Sequence, residues 1–205
     1  MMTGVIRILL ADDQHLVRGA LAALLSLEED LEVVGEVGRG DEVLQRVREL
    51  HPDVVLLDVE MPGLDGLAAA SVLTTEAPET RVLIVTTFGR PGFLRRAMES
   101  GALGFVVKDA PAEQLADAVR RVARGERVVD PALAAQTLAA GNSPLTGRER
   151  DVLTAARDGA TVADIATKLV LSEGTVRNYL SSAISKTGAR NRVEALRLAD
   201  ERGWL

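Results

Sequence analysis

The segment VVLLDVEMPGLDG, residues 54–66, joins four consecutive aliphatic residues to a carboxylate and then to a Met-Pro-Gly break. An aliphatic run of this kind is typical of a strand that is buried on both faces, as in a parallel sheet. A charge next to a buried strand is costly unless it has a partner. Asp58 therefore either ends the strand in solvent or lies at the mouth of the strand to perform chemistry.

Aliphatic runs recur through the first 110 residues, and helical patterns lie between them. The runs are IRILLA (6–11), EVVGEV (32–37), DVVLLD (53–58), RVLIVT (81–86) and GFVVK (104–108). The patterns HLVRGALAALL and DEVLQRVREL each place apolar residues on one helical face. Alternating β and α segments of this length predict right-handed βαβ units and a parallel sheet covered on both faces.

The sequence after this region predicts a linker and a second domain. Asp130 followed by Pro131 is a helix-start signal, and Gly-Asn-Ser-Pro near 141–144 is a break. Beyond it the pattern is only helical, with cap signals at Thr146, Thr161 and Ser172. The predicted organisation is an α/β domain at 4–125, a linker with a short helix at 126–143, and a four-helix domain at 144–205.

Composition and charge restrict the class of protein. The chain has no cysteine, which excludes a disulfide framework and thiolate metal sites. The opening MMTGVIRILLADD lacks the pattern of a signal peptide, and no apolar run is long enough to cross a bilayer, so we expect a cytoplasmic protein without a membrane partner. The net charge is −6, but the last 62 residues carry ten Lys/Arg and eight Asp/Glu. This asymmetry favours two parts with different partners.

Polar residues follow the predicted strands at the ends where ligands bind in open parallel sheets. Asp12 and Asp13 follow the first strand, Asp58 the third, Thr86 ends the fourth and Lys108 the fifth. Clustered carboxylates repel one another, and a hard divalent cation such as Mg²⁺ offsets that repulsion through oxygen ligands. A carboxylate can accept a phosphoryl group, whose charge an ammonium and a hydroxyl can stabilise. The sequence therefore predicts an aspartyl-phosphate site.

Four motifs carry a resemblance to a known family: ADD (11–13), LLDVEMPGLDG (56–66), VTTF (85–88) and GALGFVVKD (101–109). Over roughly residues 4–125 the chain resembles the receiver domain of bacterial two-component response regulators. The resemblance implies a doubly wound, five-stranded parallel sheet of the flavodoxin-like type.

The resemblance also implies a role for each residue of the acidic site. Asp58 would be the phosphoacceptor, Thr86 the switch hydroxyl, Phe105 the switch aromatic and Lys108 the lysine that pairs with the phosphoryl group. The implied Mg²⁺ ligands are Asp12, Asp13, Asp58 and the backbone carbonyl of Glu60. Phosphorylation adds charge and acceptor oxygens, which would bias the surrounding surface between two states.

The last 60 residues resemble the LuxR/NarL-type helix-turn-helix, through the motifs LTGRERDVL (145–153), IATKLVLSEGTVRNYL (165–180) and NRVEAL (191–196). Such a domain places its second helix, here about 174–186, in the major groove of DNA. The outward-facing residues in the first half of this helix are Arg177, Asn178 and Ser181. Arginine suits guanine and asparagine suits adenine in the major groove. Candidates for phosphate contact are Thr175, Tyr179 and Lys186.

The two halves together resemble the NarL/FixJ subfamily of response regulators. The implied function is not enzymatic. A sensor histidine kinase phosphorylates the aspartate, and the regulator forms a homodimer, binds promoter DNA and, if it is an activator, contacts RNA polymerase. One candidate pairing face lies on the first and fifth helices of the α/β domain, HLVRGALAALL and PAEQLADAVRRVARG, with Arg18, Arg120 and Arg121. Another lies on the last helix, whose apolar repeat is Val193, Leu196 and Ala199.

Three other functions are weighed against this one. An aspartyl-phosphate phosphohydrolase would show a second Asp two residues after the nucleophile, where this chain has Glu60. A ligand-sensing LuxR-type activator would share the helix-turn-helix but would not need the acidic site. A dinucleotide-binding domain is disfavoured because no G-x-G-x-x-G follows the first strand.

Overall fold

A computed structural model describes residues 4–87, 89, 91–139, 141, 143–157 and 159–205. Phe88 and Asn142, which belong to motifs quoted above, lie outside the described residues. The chain divides into two compact units, one drawn from 1–89 and 96–133 and the other from 90–95 and 134–205.

The first unit is built on a parallel sheet. Its strands are β1 (Ile6–Ala11), β2 (Leu31–Val37), β3 (Val54–Leu57), β4 (Arg81–Thr86), β5 (Gly104–Val107) and β6 (Val128–Val129). Between and after them come α1 (His15–Leu25), a short 3₁₀ helix (Gly40–Glu42), α2 (Val43–Leu50), α3 (Gly66–Glu76), α4 (Pro91–Glu99), α5 (Ala112–Ala123) and α6 (Pro131–Ala139). The division between the two units falls within α4 and within α6. Consecutive residues Ile8, Leu9 and Leu10 are all buried. Because successive strand residues point to opposite faces, the sheet is covered on both sides.

The strand order and register place the strand ends side by side. The order is β2-β1-β3-β4-β5-β6. Strand β2 is added on one side of β1 and the later strands on the other side, so the strand order reverses between β1 and β3. Ala11 is in register with Val37 on one side and with Leu57 on the other. The residues that follow β1 and β3 therefore emerge together at the switch point of the sheet, where open α/β sheets bind their ligands.

The sheet has one more strand than the sequence predicts. Val128 and Val129 pair with Gly104 and Phe105 of β5. The chain reaches this position through Gly125, which has a positive φ of 81°. A two-residue strand is too short to show alternation, so the sequence assigned it to the linker. The added strand extends the edge of the sheet and leaves the predicted doubly wound architecture intact.

The second unit contains four helices after α6: α7 (Gly147–Ala155), α8 (Val162–Leu169), α9 (Glu173–Thr187) and α10 (Arg192–Glu201). The side chains of Thr146, Thr161 and Ser172 cap the first three of them, as predicted, and Asn191 caps the fourth. The buried indole of Trp204 joins their apolar core. Across the described part of the chain, no helix combines the length and apolarity needed to span a membrane.

Val170, in the turn between α8 and α9, has a backbone conformation that a β-branched residue rarely adopts. Its φ is +54° and its side chain is 90% exposed. The left-handed conformation costs a non-glycine residue about 1–2 kcal/mol, and glycine is the preferred residue at such helix ends. We expect Val170→Gly to raise the free energy of unfolding by up to about 1 kcal/mol, measured by urea denaturation.

Val193→Gly is the matched control for that substitution. Val193 is a similarly exposed valine, at 70%, but it lies within α10. Glycine there should lower stability by roughly 0.5 kcal/mol, because the entropy cost of glycine is not offset by strain relief. A loss of stability in Val170→Gly would contradict the strain assigned to this turn.

Candidate functional site

Three carboxylates meet at the switch point of the sheet. Asp12 and Asp13 follow β1 and Asp58 follows β3, and one oxygen of each lies within 4.8 Å of the others. Asp12 and Asp58 are buried, whereas Asp13 is exposed. The N–H of Asp58 donates to the carbonyl oxygen of Ala11 at 2.8 Å, so β1 fixes the residue at the end of β3. The sequence-based prediction that these residues converge thus agrees with the geometry.

Lys108 points its ammonium into the same cluster. Its Nζ lies 2.6 Å from Oδ2 of Asp12 and 3.2 Å from Oδ2 of Asp58, and its side chain is buried. These two ion pairs engage two of the three N–H donors of the ammonium. The N–H of Lys108 donates to the carbonyl oxygen of Thr86 at 2.8 Å, and the Thr86 side chain is buried at the end of β4. The ammonium therefore retains one donor for an incoming anionic group.

Burial raises the pKa of the Asp58 carboxyl group above its ordinary value. The nearby Lys108 ammonium lowers this pKa and the charge of Asp12 raises it, and the net result is upward. Oδ1 of Asp58 accepts a hydrogen bond from the N–H of Val59 at 2.9 Å. One ammonium does not neutralise three carboxylates, so the donor set is that of a hard divalent cation with oxygen ligands.

Gly66 lets the chain pass close to Asp58, a requirement that the sequence prediction missed. Its N–H donates to the carbonyl oxygen of Val59 at 2.9 Å. A Cβ at this position would lie 1.8 Å from the carbonyl oxygen of Asp58. The Asp-Gly pair at the end of the quoted segment was the available signal. Glu60 lies in this loop with an exposed side chain, and the ligand role of its carbonyl group stays a prediction.

Phe105 is a core residue in this structure. It lies on β5 in register with Ile84 of β4 and is 2% exposed. The ring is thus already inside the domain, one strand away from Thr86. Its predicted role as a switch aromatic stays a prediction.

The second helix of the helix-turn-helix, α9, has a polar outer face. Arg177, Asn178 and Ser181 are exposed, whereas Val176 and Leu180 are buried in the core. Of the predicted phosphate contacts, Thr175 and Tyr179 are half-buried and Lys186 is exposed. The structure therefore presents the three predicted base-reading residues together on one surface.

The cations of this unit are mostly paired within the chain. Lys186 Nζ lies 2.8 Å from both carboxylate oxygens of buried Glu149, and Arg177 pairs with Glu173 one turn earlier. Among the residues described in 143–205, the exposed cations without an acidic or carbonyl partner are Arg150, Lys168 and Arg202, and the guanidinium of Arg202 lies over the ring of Trp204. None of the three was predicted from the sequence as a site residue. Lys168 lies near the end of α8, the helix that precedes α9.

The side chains proposed for receiver pairing are also engaged internally. Arg18 is buried and donates to the carbonyl oxygen of Asp12 and to Glu36. Arg120 binds Glu28 and Asp30, and Arg121 binds Glu126. The prediction that Arg18 lies on a pairing face is therefore wrong, because its guanidinium is buried and bonded within the domain.

The apolar repeat of Val193, Leu196 and Ala199 on the last helix leaves less exposed surface than the sequence indicates. Ala199 is fully buried and Leu196 packs against the core, so only Val193 of the three is well exposed. Leu16 on α1 and Leu27, which follows the end of α1, are exposed apolar side chains.

The chain is similar to known proteins over nearly its whole length. Residues 8–120 match the family described as response regulator receiver domain, and residues 143–199 match the family of bacterial regulatory proteins, luxR family. The uncharacterized transcriptional regulatory protein YvfU of Bacillus subtilis strain 168 is 44% identical, over 98% of this chain and 100% of that protein. The transcriptional regulatory protein DesR of the same strain is 42% identical, over 98% of this chain and 99% of that protein.

Solved structures agree with this similarity. The response regulator ChrA of a heme-sensing two-component system is 34% identical with a TM-score of 0.59, over 98% of this chain and 100% of that one. The response regulator RcsB in its complex with DNA is 24% identical with a TM-score of 0.68, over 97% of this chain and 99% of that one, and this likeness supports the fold alone.

Proposed function

Because the chain belongs to the LuxR-family response regulators of two-component systems, with a receiver domain and a DNA-binding domain that regulates transcription, we propose that Asp58 is its phosphoacceptor. The observation that carries the proposal is the meeting of three carboxylates with the buried ammonium of Lys108. A carboxylate oxygen of Asp58 attacks the phosphorus of a phosphorylated sensor histidine kinase. An acyl phosphate forms as the phosphorus–nitrogen bond of the donor breaks.

The neighbouring residues would stabilise the transferred group. Lys108 provides an ammonium that already pairs with Asp12 and Asp58 and has a third N–H donor, and Thr86 lies beside it at the end of β4. Asp12, Asp13, Asp58 and the carbonyl of Glu60 would hold Mg²⁺. When bound, that ion supplies positive charge to the phosphoryl oxygens. Thr86 and Phe105 would then report the new charge to the nearby surface.

The α9 face would read DNA. Arg177, Asn178 and Ser181 are exposed together and carry the donors and acceptors that base edges in the major groove require. Thr175, Tyr179 and Lys186 are proposed phosphate contacts, to which we add Lys168 because it is exposed and has no acidic partner among the described residues. Since its partners are DNA and, for an activator, RNA polymerase, we propose that the protein acts in the cytoplasm.

Substitutions on α9 test the base-reading residues. Arg177→Ala and Asn178→Ala should each cost about 1–3 kcal/mol of binding free energy on the cognate site and less on random DNA. Lys168→Ala should instead weaken binding to both DNAs and flatten the salt dependence, because a phosphate contact carries no sequence information. Fluorescence anisotropy at several salt concentrations measures both effects. Equal losses on specific and random DNA for all three variants would remove the base-reading proposal.

We further propose that phosphorylation produces a dimer and that this dimer binds DNA tightly. A single small helix-turn-helix makes few contacts, and such domains commonly bind paired half-sites as dimers. Joining two of them raises the effective concentration of the second near DNA. Beryllofluoride, a mimic of the phosphoryl group, should shift the molar mass measured by light scattering from monomer to dimer, and affinity for the operator should rise in parallel.

The Asp58→Asn variant is the control for the beryllofluoride experiment, since its mass and affinity should not respond. A wild-type mass that stays unchanged while affinity rises would contradict dimerisation. That result would point to release of a DNA-binding surface instead.

A further inference from the structure

Arg18 is a buried guanidinium on α1 that the proposed chemistry does not use. Its side chain is 9% exposed, although Leu16 and Gly19 beside it are exposed. Its Nη1 donates to the main-chain carbonyl oxygen of Asp12, and its Nε donates to Oε2 of Glu36 at 2.9 Å. Burying a charged group is costly unless each of its donors finds a partner. Here the partner is the backbone of a proposed metal ligand.

These bonds fix Asp12 on several sides. The N–H of Asp12 donates to the carbonyl oxygen of Val37 at 3.1 Å, and Oδ1 accepts from the N–H of Gln14 at 2.9 Å. With the carbonyl group held by Arg18, the main chain of residue 12 has little freedom. Oδ2 contacts Lys108 and Oδ1 accepts one hydrogen bond, so each carboxylate oxygen keeps a lone pair for a cation.

Residues of β2 and of the chain after it also surround the guanidinium of Arg18. Glu36, on β2, holds the other side of the guanidinium, so α1, β1 and β2 are joined through one side chain. At Gly38 a Cβ would lie 3.4 Å from Nη1 and 4.0 Å from the carbonyl oxygen of Asp12. These are ordinary van der Waals distances, so the chain that follows β2 lies beside the guanidinium without requiring glycine at this position.

We propose that Arg18 is a positioning residue, which holds the Asp12–Asp13 segment in the geometry that binds the divalent cation. The inference rests on the proposed function of the acidic site. Arg18 acts through the backbone of Asp12 and not by direct contact with the phosphoryl group. Outer-shell partners of metal ligands commonly change metal affinity by about 10–100-fold when they are removed.

The direction in which Mg²⁺ affinity changes distinguishes a positioning role of Arg18 from an effect of its charge alone. A guanidinium near the site repels a cation, so removing its charge alone would make Mg²⁺ bind more tightly. Loss of the positioning contact would make Mg²⁺ bind more weakly. A structural role unconnected with the site would change stability and leave the Mg²⁺ affinity unaltered.

Calorimetric titration of the full-length protein with Mg²⁺ tests the proposal. Arg18→Gln should weaken Mg²⁺ binding by about tenfold, and Arg18→Lys, which keeps a charged donor, should recover part of the loss. Arg120→Gln is the matched control. It removes an arginine whose partners are Glu28 and Asp30, outside the acidic site, and should leave Mg²⁺ affinity unchanged. Thermal unfolding verifies that each variant is folded.

Mg²⁺ affinity in Arg18→Gln that is equal to or higher than that of the wild type would overturn the inference. If Arg18→Gln does not fold, Arg18→Met, which keeps the length of the side chain, takes its place with the same expectation. If neither neutral variant folds, Arg18 is a stability residue and the inference is overturned as well. A wild-type protein that neither binds Mg²⁺ nor is labelled at Asp58 would instead contradict the proposed function.

Discussion

Asp58→Asn is expected to abolish phosphoryl incorporation from acetyl phosphate in the presence of Mg²⁺. The substitution keeps the shape of the side chain but removes the anionic oxygen that attacks phosphorus. Intact-protein mass spectrometry measures the fraction of chains that gain one phosphoryl group. In the wild type, labelling should slow as the pH falls through the pKa of Asp58, which burial raises, because protonation removes the nucleophile.

Asp109→Asn is the matched control for the loss of labelling. Asp109 follows Lys108 directly, but its side chain is exposed. Labelling should persist in this variant, since the acidic cluster is formed by Asp12, Asp13 and Asp58. Normal stoichiometry in Asp58→Asn would show that another residue accepts the phosphoryl group.

The family and the fold class predicted from the sequence are confirmed. Strands β3 and β4 could be predicted because their aliphatic runs are almost entirely buried. Strand β2, at the edge of the sheet, is only partly buried and contains Glu32 and Glu36, so its valines alone carried the prediction. The acidic site could be predicted because parallel strands bring their carboxyl ends to one edge. Register then decides which ends meet, and the pairing of Ala11 with both Val37 and Leu57 has no signature in the sequence.

The partners of long charged side chains could not be predicted. Arg18 lies on a helix beside exposed residues, and its sequence position gives no sign that its guanidinium reaches the carbonyl group of Asp12. Long side chains carry their charge far from the Cα atom, so helical spacing fixes where the residue starts and not where its charge ends. The same limit applies to Lys186. Its position on α9 indicates a phosphate contact, whereas its ammonium reaches Glu149 on α7.

The capping box of α7 could be predicted, but its wider network could not. Thr146 and Glu149 bond each other's backbone N–H groups, as the spacing predicts. The same carboxylate also accepts from Ser182 at 2.6 Å and from Lys186 at 2.8 Å. A residue that the sequence assigns to a helix start thus also joins α7 to α9.

Burial raises the pKa of Glu149, but its bonds to Lys186, Ser182 and Thr146 lower it more, from an ordinary 4.5 to about 2. A carboxyl group with a lowered pKa in the folded state stabilises the fold above its unfolded pKa. That contribution, roughly 2–3 kcal/mol, is lost as the pH falls from about 4.5 towards 2. Lys186→Ala leaves this buried carboxylate with fewer donors, so we expect it to lower the free energy of unfolding by about 2 kcal/mol at pH 7.

Urea denaturation followed by tryptophan fluorescence isolates this effect, because Trp204 is the single tryptophan of the chain and is buried in the helical unit. The difference between wild type and Lys186→Ala should shrink as the pH falls from about 4.5 towards 2, the range in which Glu149 of the wild type becomes protonated. Lys168→Ala, which removes an exposed lysine without such a pair, should leave stability unchanged throughout this range and weaken DNA binding. If Lys186→Ala instead kept wild-type stability, the ion pair with Glu149 would contribute nothing to the fold, and the proposed phosphate contact would be the only role of Lys186.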